Sequence, residues 1–475
     1  MQLASTTVLK YSVRLSLTIF SLSIFSSLQA QDNSPYSRYG LGNQFPRTNV
    51  MSRGMGGVSA AYVGTYLGYT AEYAKPFTEV VSVNYNNPAS FAAFQANMEQ
   101  RSGKVSSARV ILDVGVNFSS RKLAAPNTPQ SFTSSDALFS HVYVGIPIRR
   151  NWGLAFGLRP LSRIGYDIFR TERLFNPNPP GGSIDSAATQ FTGTGGSFLP
   201  SIGTGFGSDN FTVGVNVGYL FGKKEVSTRR AFINDTVEYA ASNHVTNANF
   251  GNIFFNAGAQ YKIELSKSSI LRLGLSGNWK QTLNGTQDIL RQTYVRNSFG
   301  QELQVDSVFQ QTDIEGEVIY PASYTAGFMI DNAAGEKARG WSIGVDYVTN
   351  KWNDYRFFGE TDLVKNNWEI RVGGQLTPLK KPVSYGQAVT IRFGGFVGPD
   401  YVNVDNKIPQ YGVSFGLGLP IINYNRMSPG QYSVVNLAFE YSKRGNDQNK
   451  IREDMFRVSL GLNFTDLWFG KRKYE

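Results

Sequence analysis

The chain has 475 residues, no cysteine, two histidines, 49 glycines, 33 phenylalanines and 25 tyrosines, with a net charge of +11. The missing cysteines exclude a lipoprotein anchor, a disulfide-stapled domain and a thiolate zinc centre. With a mean hydropathy of −0.25 and no long apolar run beyond the N-terminus, a bundle of membrane-spanning helices is excluded too.

Residues 1–30 read as a secretory signal peptide. Lys10 and Arg14 precede an apolar run from Leu15 to Leu28, and Gln29-Ala30-Gln31 offers a small residue at the cut. That run is shorter than the roughly 20 residues a spanning helix needs. Its removal leaves 44 basic and 35 acidic residues, a net +9 spread along the chain, with Lys471-Arg472-Lys473 the one tight cluster near an end. For an exported chain this predicts anionic lipid of a Gram-negative outer membrane as a partner, and no nucleic acid.

About 75 residues then precede the first predicted strand. They hold "MSRGMGGVSAAY" at 51–62 and "YNNPASFAAF" at 85–94. A glycine loop that cradles phosphate needs a strand before it, a helix after it and a lysine or acidic partner, and that unit is absent. The glycines are better explained by positive φ and close backbone approach, and Asn87-Pro88 by a fixed turn.

From residue 107 onward the apolar residues alternate. In 211–222, Phe211, Val213, Val215, Val217, Tyr219 and Phe221 share one face, while Thr212, Gly214, Asn216 and Gly218 share the other. The same period recurs at 110–119, 138–148, 152–160, 198–207, 251–263, 269–279, 322–330, 341–348, 367–376, 388–396, 410–420, 433–441 and 456–464, with 163–170 continuing its predecessor. These strands reach the roughly 9–11 residues needed to cross a bilayer, and their polar face is small and glycine-rich. The fold class predicted is all-β: a transmembrane antiparallel up-and-down β-barrel of about 14 strands. Long polar connections at 121–135, 171–195, 223–250 and 280–320 are predicted as external loops; 149–151, 207–210 and 265–269 are predicted as periplasmic turns.

Nothing predicts catalysis, a metal or a cofactor. His141 falls in phase with Phe139 and Tyr143 on the inward face, with no nucleophile and acid evident around it, and His244 falls in an external loop. The inward charges Asp113, Arg159, Arg272, Asp346, Arg371, Arg392, Glu440 and Arg457 mix both signs, so mutual and internal bonding is expected.

Arg53-Gly54-Met55-Gly56-Gly57-Val58-Ser59-Ala60, followed by Asn86-Asn87-Pro88-Ala89-Ser90-Phe91, resembles the paired motifs of the FadL-like outer-membrane transporters. Weaker fragments carry the resemblance further, at 147–160, 193–200, 213–222 and 346–352. It implies an N-terminal hatch at 31–105 inside a 14-stranded barrel at 106–464, with residues 465–475 as a basic periplasmic tail. Arg53, Gly54, Gly56, Gly57, Asn87, Pro88 and Ala89 would be hatch or gating residues, and Asp113, Arg159, Arg272, Asp346 and Arg392 the polar lumen. In that family an apolar ligand of fatty-acid or aromatic-hydrocarbon type is captured by outer loops and released past the hatch or through a gap in the wall. Apolar candidates for capture are Phe169, Leu174, Phe175 and Phe191, and Ile289, Leu290, Tyr294 and Val295; Pro147 and Pro160 mark where a gap would form. The long polar stretch at 280–320 and the tail depart from the transporter pattern. A PorV-like branch of the family instead serves secretion machinery, so the partners implied are either a hydrophobic small molecule or proteins of a secretion or assembly complex; a purely structural barrel is the third option.

Overall fold

A computed structural model describes residues 33–69, 76–98, 105–126, 129–174, 186–233, 239–297, 299, 301–380, 382–404, 407–421 and 432–468. The expected signal peptide and residues 469–475 of the expected tail lie outside the described residues. Fourteen antiparallel strands follow one another round a closed barrel: β1 Val105–Ala124, β2 Ser131–Arg149, β3 Trp152–Arg173, β4 Ser186–Gly207, β5 Phe211–Ile233, β6 Ala241–Glu264, β7 in two pieces (Ser269–Asn278 and Gln281–Arg296), β8 in two pieces (Glu302–Tyr320 and Ser323–Asn332), β9 Trp341–Asn350, β10 Asn367–Leu376, β11 Thr390–Pro399, β12 Pro409–Ile421, β13 Tyr432–Arg444 and β14 Arg452–Trp468. β14 closes on β1 from Arg452↔Ala124 to Trp468↔Ala108. The final strand thus runs four residues past Phe464.

Alternation decides which way each strand faces. On β5, Phe211, Val215, Val217, Tyr219 and Phe221 are exposed outward while Asn216 is buried inward. Ile202, Leu275, Ile343, Phe393 and Phe415 repeat the outward pattern round the barrel. This apolar exterior with a polar interior is the inverse of a soluble sandwich and is the pattern an outer-membrane barrel requires.

The stretches expected as external loops are mostly strand. β1 continues to Ala124, β3 to Arg173 and β5 to Ile233, β6 begins at Ala241, and β7 and β8 fill nearly all of 281–320. His244 accordingly sits exposed on β6, not in a loop. Period-2 apolar alternation marks only the part of a strand that faces lipid on one side. Above that level both faces are polar, yet the ladder of backbone hydrogen bonds goes on. The result is a barrel of unequal height, with β3–β8 long and β9–β11 only ten residues each.

Two local irregularities matter below. Ser140 is bulged, since Gly115 pairs with His141 but Val116 pairs with Phe139. That extra residue turns Phe139 outward and His141 inward, so the two do not share a face. In β7 the ladder to β6 lapses around Trp279-Lys280, and the Gln281 side chain substitutes for it, accepting from Phe255 N at 2.7 Å and donating to Phe255 O at 3.0 Å.

Candidate functional site

The N-terminal segment lies against inward-facing residues of strands all round the barrel. Its first motif begins with a one-turn helix, α1 (Val50–Arg53), capped by Asn49, whose Oδ1 accepts from Ser52 N at 2.9 Å. Gly54 ends that turn, and Gly56 and Gly57 take φ of +67° and +82°. At Gly56 a Cβ would stand 2.6 Å from Gly395 N on β11, so a side chain is excluded by both dihedral and space. The wall reciprocates, because a Cβ on Gly373 of β10 would sit 2.0 Å from Met55 O. Backbone meets backbone here with no room between.

Arginine and asparagine then tie the segment together. Arg53 is buried and donates to Thr48 O at 3.1 Å, to Ser140 Oγ of β2 at 2.8 Å, to Ser459 Oγ of β14 at 3.3 Å and to Asn117 Oδ1 of β1. The second motif binds the first: Asn84 donates to Ser59 O at 2.8 Å and Tyr62 O at 2.7 Å, Asn86 to Ser59 Oγ at 2.8 Å, and Asn87 to Ala60 O at 2.6 Å. Asn87 also caps the 3-10 turn Pro88–Ala93 by accepting from Ala89 N at 3.1 Å. Pro88 and Ala89 are buried in that turn, against Gly205 of β4 and Gly214 of β5.

Among the wall charges singled out in the sequence, Asp113 accepts from Ser82 Oγ at 2.7 Å and Val83 N at 3.0 Å. Asp346 accepts from Ser59 N at 2.6 Å and Ala60 N at 2.9 Å. Arg159 donates to Arg47 O at 3.3 Å and lies over the Tyr85 ring, and Arg371 donates to Gly57 O at 3.2 Å. Arg272 and Arg392 do otherwise: the first pairs with Asp331 on β8, and the second donates to Gln375 Oε1 at 3.3 Å and Asn436 Oδ1 at 2.9 Å, both on the wall.

Among the described residues the pairing of the wall also breaks between β2 and β3. β2 and β3 are joined only from Val142↔Leu158 to Arg149↔Trp152, so 131–141 of β2 lack a β3 partner. The break starts beside Pro160, whereas Pro147 is still paired with Gly153. The freed edge of β3 is taken by the N-terminal segment. Asn43 and Gln44 pair with Arg163 and Ser162, Phe45 N donates to Leu161 O at 2.9 Å, and Ser34 N donates to Gly165 O at 2.9 Å. Side chains finish the edge, with Ser37 Oγ accepting from Gly165 N at 3.1 Å and Asn33 Oδ1 from Asp167 N at 3.2 Å. Nearby, Tyr36 donates to Ile451 O at 2.5 Å, and burial pushes its hydroxyl up to about 12.

A cavity of about 200 Å³ remains beside α1. Its lining carries five ion pairs, Arg457–Glu440 at 2.9 Å, Arg444–Glu453 at 3.4 Å, Arg121–Glu453 at 3.5 Å, and Arg444–Asp400 and Arg371–Glu369 in direct contact, while Arg47 and Arg53 also line it and donate to neutral oxygens. Of the expected capture residues, Phe169, Phe191, Ile289, Leu290, Tyr294 and Val295 lie on β3, β4 and β7, Tyr294 is buried, Leu174 directly follows β3, and Phe175 lies outside the described residues.

The model of the BamG family matches residues 10–475. The chain belongs to the BamG family. That match gives no support to the PorV-like branch. No curated protein matches. Among solved structures it is similar to the Pseudomonas putida toluene transporter TodX (14% identity, 88% of this chain and 98% of that one, TM-score 0.49). It is also similar to a Pseudomonas aeruginosa FadL homologue (14%, 90% and 98%, 0.48) and to the monoaromatic hydrocarbon channel CymD (12%, 90% and 98%, 0.48). With TM-scores below 0.5 these likenesses weigh nothing on function.

In this BamG-family barrel the fold assembles what the sequence did not suggest around His141. Ser140 Oγ lies 2.9 Å from His141 Nδ1, and His141 Nε2 lies 3.0 Å from Asp113 Oδ1. The three are buried, none lines the cavity, and Ser140 Oγ already accepts from Arg53. A serine nucleophile must reach its substrate; this one is occupied by the N-terminal segment. Sequence reasoning also passed over the wall amides. Asn216 donates to Tyr85 O at 3.1 Å, Asn256 to Asn86 O at 3.2 Å and Gln260 to Ala60 O at 2.9 Å. Their signal was present, since Asn216 stands on the polar face of its strand's alternation.

Proposed function

We propose that this barrel is a non-transporting accessory subunit of an outer-membrane assembly complex, with its N-terminal segment acting as a fixed plug. The observation that carries this reading is the interior: the segment is hydrogen-bonded to strands on every side, and the cavity beside α1 is lined largely by charges held in ion pairs or hydrogen bonds. An apolar ligand placed there would strip water from those charges and return no hydrogen bond, at a cost of several kcal/mol. Membership of the BamG family supports the assembly setting.

Uptake of a fatty-acid or aromatic-hydrocarbon ligand is the second reading. What supports it is the break between β2 and β3, which has the form of a side exit if residues 33–45 leave the edge of β3. Arg53, Gly54, Gly56, Gly57, Asn87, Pro88 and Ala89 would then be parts of a movable hatch.

Native mass spectrometry of the detergent-purified protein, with lipid extraction, separates the two. The accessory reading expects stoichiometric protein partners and no bound hydrocarbon. A co-purifying fatty acid or hydrocarbon, released by substitution at Arg53 or Asn87, would overturn it.

A further inference from the structure

The tall part of the wall, β3–β8, is a sheet with two edges, one at β3 where β2 parts from it and one at β8 where the short β9 ends. The chain covers one of them itself, by laying residues 33–45 along β3. The other is β8. Below Pro321 it pairs with β9 from Ser323↔Asn350 to Asn332↔Trp341, but β9 stops there. Above, β8 is joined to β7 on one side, and on the other only Val318-Ile319 meet Phe357 and Arg356, followed by Phe358 N donating to Glu317 O at 2.9 Å. Among the described residues, 302–316 therefore present an unpaired strand edge of roughly 50 Å at about 3.3 Å per residue.

Natural proteins protect such edges with lysine, proline, bulges or a covering segment, because a free edge is a template for another strand. This one has no lysine, arginine or proline, and although its ladder to β7 shifts register at three points it stays regular through 309–311. It carries Glu302, Asp306, Asp313 and Glu315, with Glu317 just beyond it, in a chain whose net charge is +11. Arg229 engages Glu302 at 3.1 Å; Asp306, Asp313, Glu315 and Glu317 have no cation at ion-pair distance among the described residues. Leu303, Val305, Val308 and Phe309 stand exposed between the acids. We infer that residues 302–316 of β8 are a docking edge for an extended, basic and alternately apolar strand of a partner protein, added to the sheet by backbone pairing. Main-chain hydrogen bonds would hold such a strand, and cross-strand contacts with the acids and apolar residues would choose it. The inference rests on the accessory-subunit reading for its setting.

The test uses the full mature chain in nonionic detergent and two fluorescein-labelled ten-residue peptides, one alternating Lys and Val, the other Glu and Val. The Lys-Val peptide should bind by fluorescence anisotropy, and weaken as salt rises. In the triple variant Asp306→Lys, Asp313→Lys, Glu315→Lys its affinity should fall at least tenfold while the Glu-Val peptide gains. Single variants Gln310→Pro and Gln311→Pro follow, in a stretch where the ladder to β7 is regular. Adjacent residues there alternate in the direction of their N–H, so one of the two removes a donor from the free edge and should abolish binding while the barrel keeps its heat-modifiable gel mobility. Equal binding of both peptides, binding unchanged in the triple variant, no binding at all, or binding unchanged in both proline variants would overturn the inference. So would a wild-type dimer in sedimentation that these variants dissolve, since the occupant would then be a second copy. The setting is tested separately: if assembly subunits co-purify equally with wild type and triple variant, the accessory reading stands and the docking edge falls. If wild type carries none yet binds the Lys-Val peptide, the reverse holds.

Discussion

Replacing Arg53 with methionine is the sharpest probe of how the N-terminal segment is held. Methionine keeps much of the buried stem and removes the guanidinium, which serves three wall strands at once through Asn117, Ser140 and Ser459. A hydrogen bond from a charged donor contributes about 1.5–3 kcal/mol, so three give a gross loss of about 4–9 kcal/mol. Relief of guanidinium desolvation offsets several kcal/mol of that, leaving a net weakening of roughly 3 kcal/mol. At about 1.4 kcal/mol per tenfold, docking should weaken by about 100-fold. The measurement is amide hydrogen exchange by mass spectrometry on the detergent-solubilised protein. Peptides covering 50–61, where Met55 N and Gly57 N donate to Ser52 O at 2.9 Å each, should exchange about 100-fold faster, with those from 211–222 unchanged. Arg53→Lys should recover part of the protection, because a point charge on a flexible stem cannot fork between strands as a guanidinium does. Protection at 50–61 that stays within about threefold of wild type would show that these bonds do not hold the segment, as their net contribution would then be under about 0.7 kcal/mol. Faster exchange spread evenly over the barrel would refute the reasoning in another way, by making Arg53 a strut of the wall.

Gly373→Val should displace the first motif, since its Cβ alone would meet Met55 O at 2.0 Å; limited proteolysis should then cut within 50–61 in a barrel whose gel mobility is normal. Deleting residues 33–45 uncovers the edge of β3 from Leu161 to Asp167, and planar-bilayer recordings should show conductance that the intact chain lacks; a silent deletion would locate the seal elsewhere. The Ser140–His141–Asp113 chain should not react with a fluorophosphonate probe, and Ser140→Ala should leave the labelling pattern of the preparation unchanged; labelling lost in that variant would make it a nucleophile after all.

The sequence alone determined the barrel. Period 2 over eight or more residues, repeated fourteen times with small polar residues on the opposite face, is what a wall with lipid outside requires, so all fourteen strands were legible, including the continuation of β3 through 163–170. It also marked Gly56 and Asn87 as positions of unusual backbone or turn. Tertiary structure decided what local pattern does not encode. The extensions of β5–β8 read as loops because above the membrane no apolar stripe is needed, while their ladders persist through pairing with neighbours distant in sequence. The bulge at Ser140 reversed His141 relative to Phe139, a one-residue change invisible to composition. Partner choice among inward groups was equally hidden: Asp346 and Arg272 look alike along their strands, yet one meets Ser59 N and Ala60 N and the other Asp331, because the N-terminal segment reaches only one of them. The two strand edges, one covered by residues 33–45 where β2 parts from β3 and one bare at 302–316 where β9 is too short, are properties of the assembled wall and of no single strand.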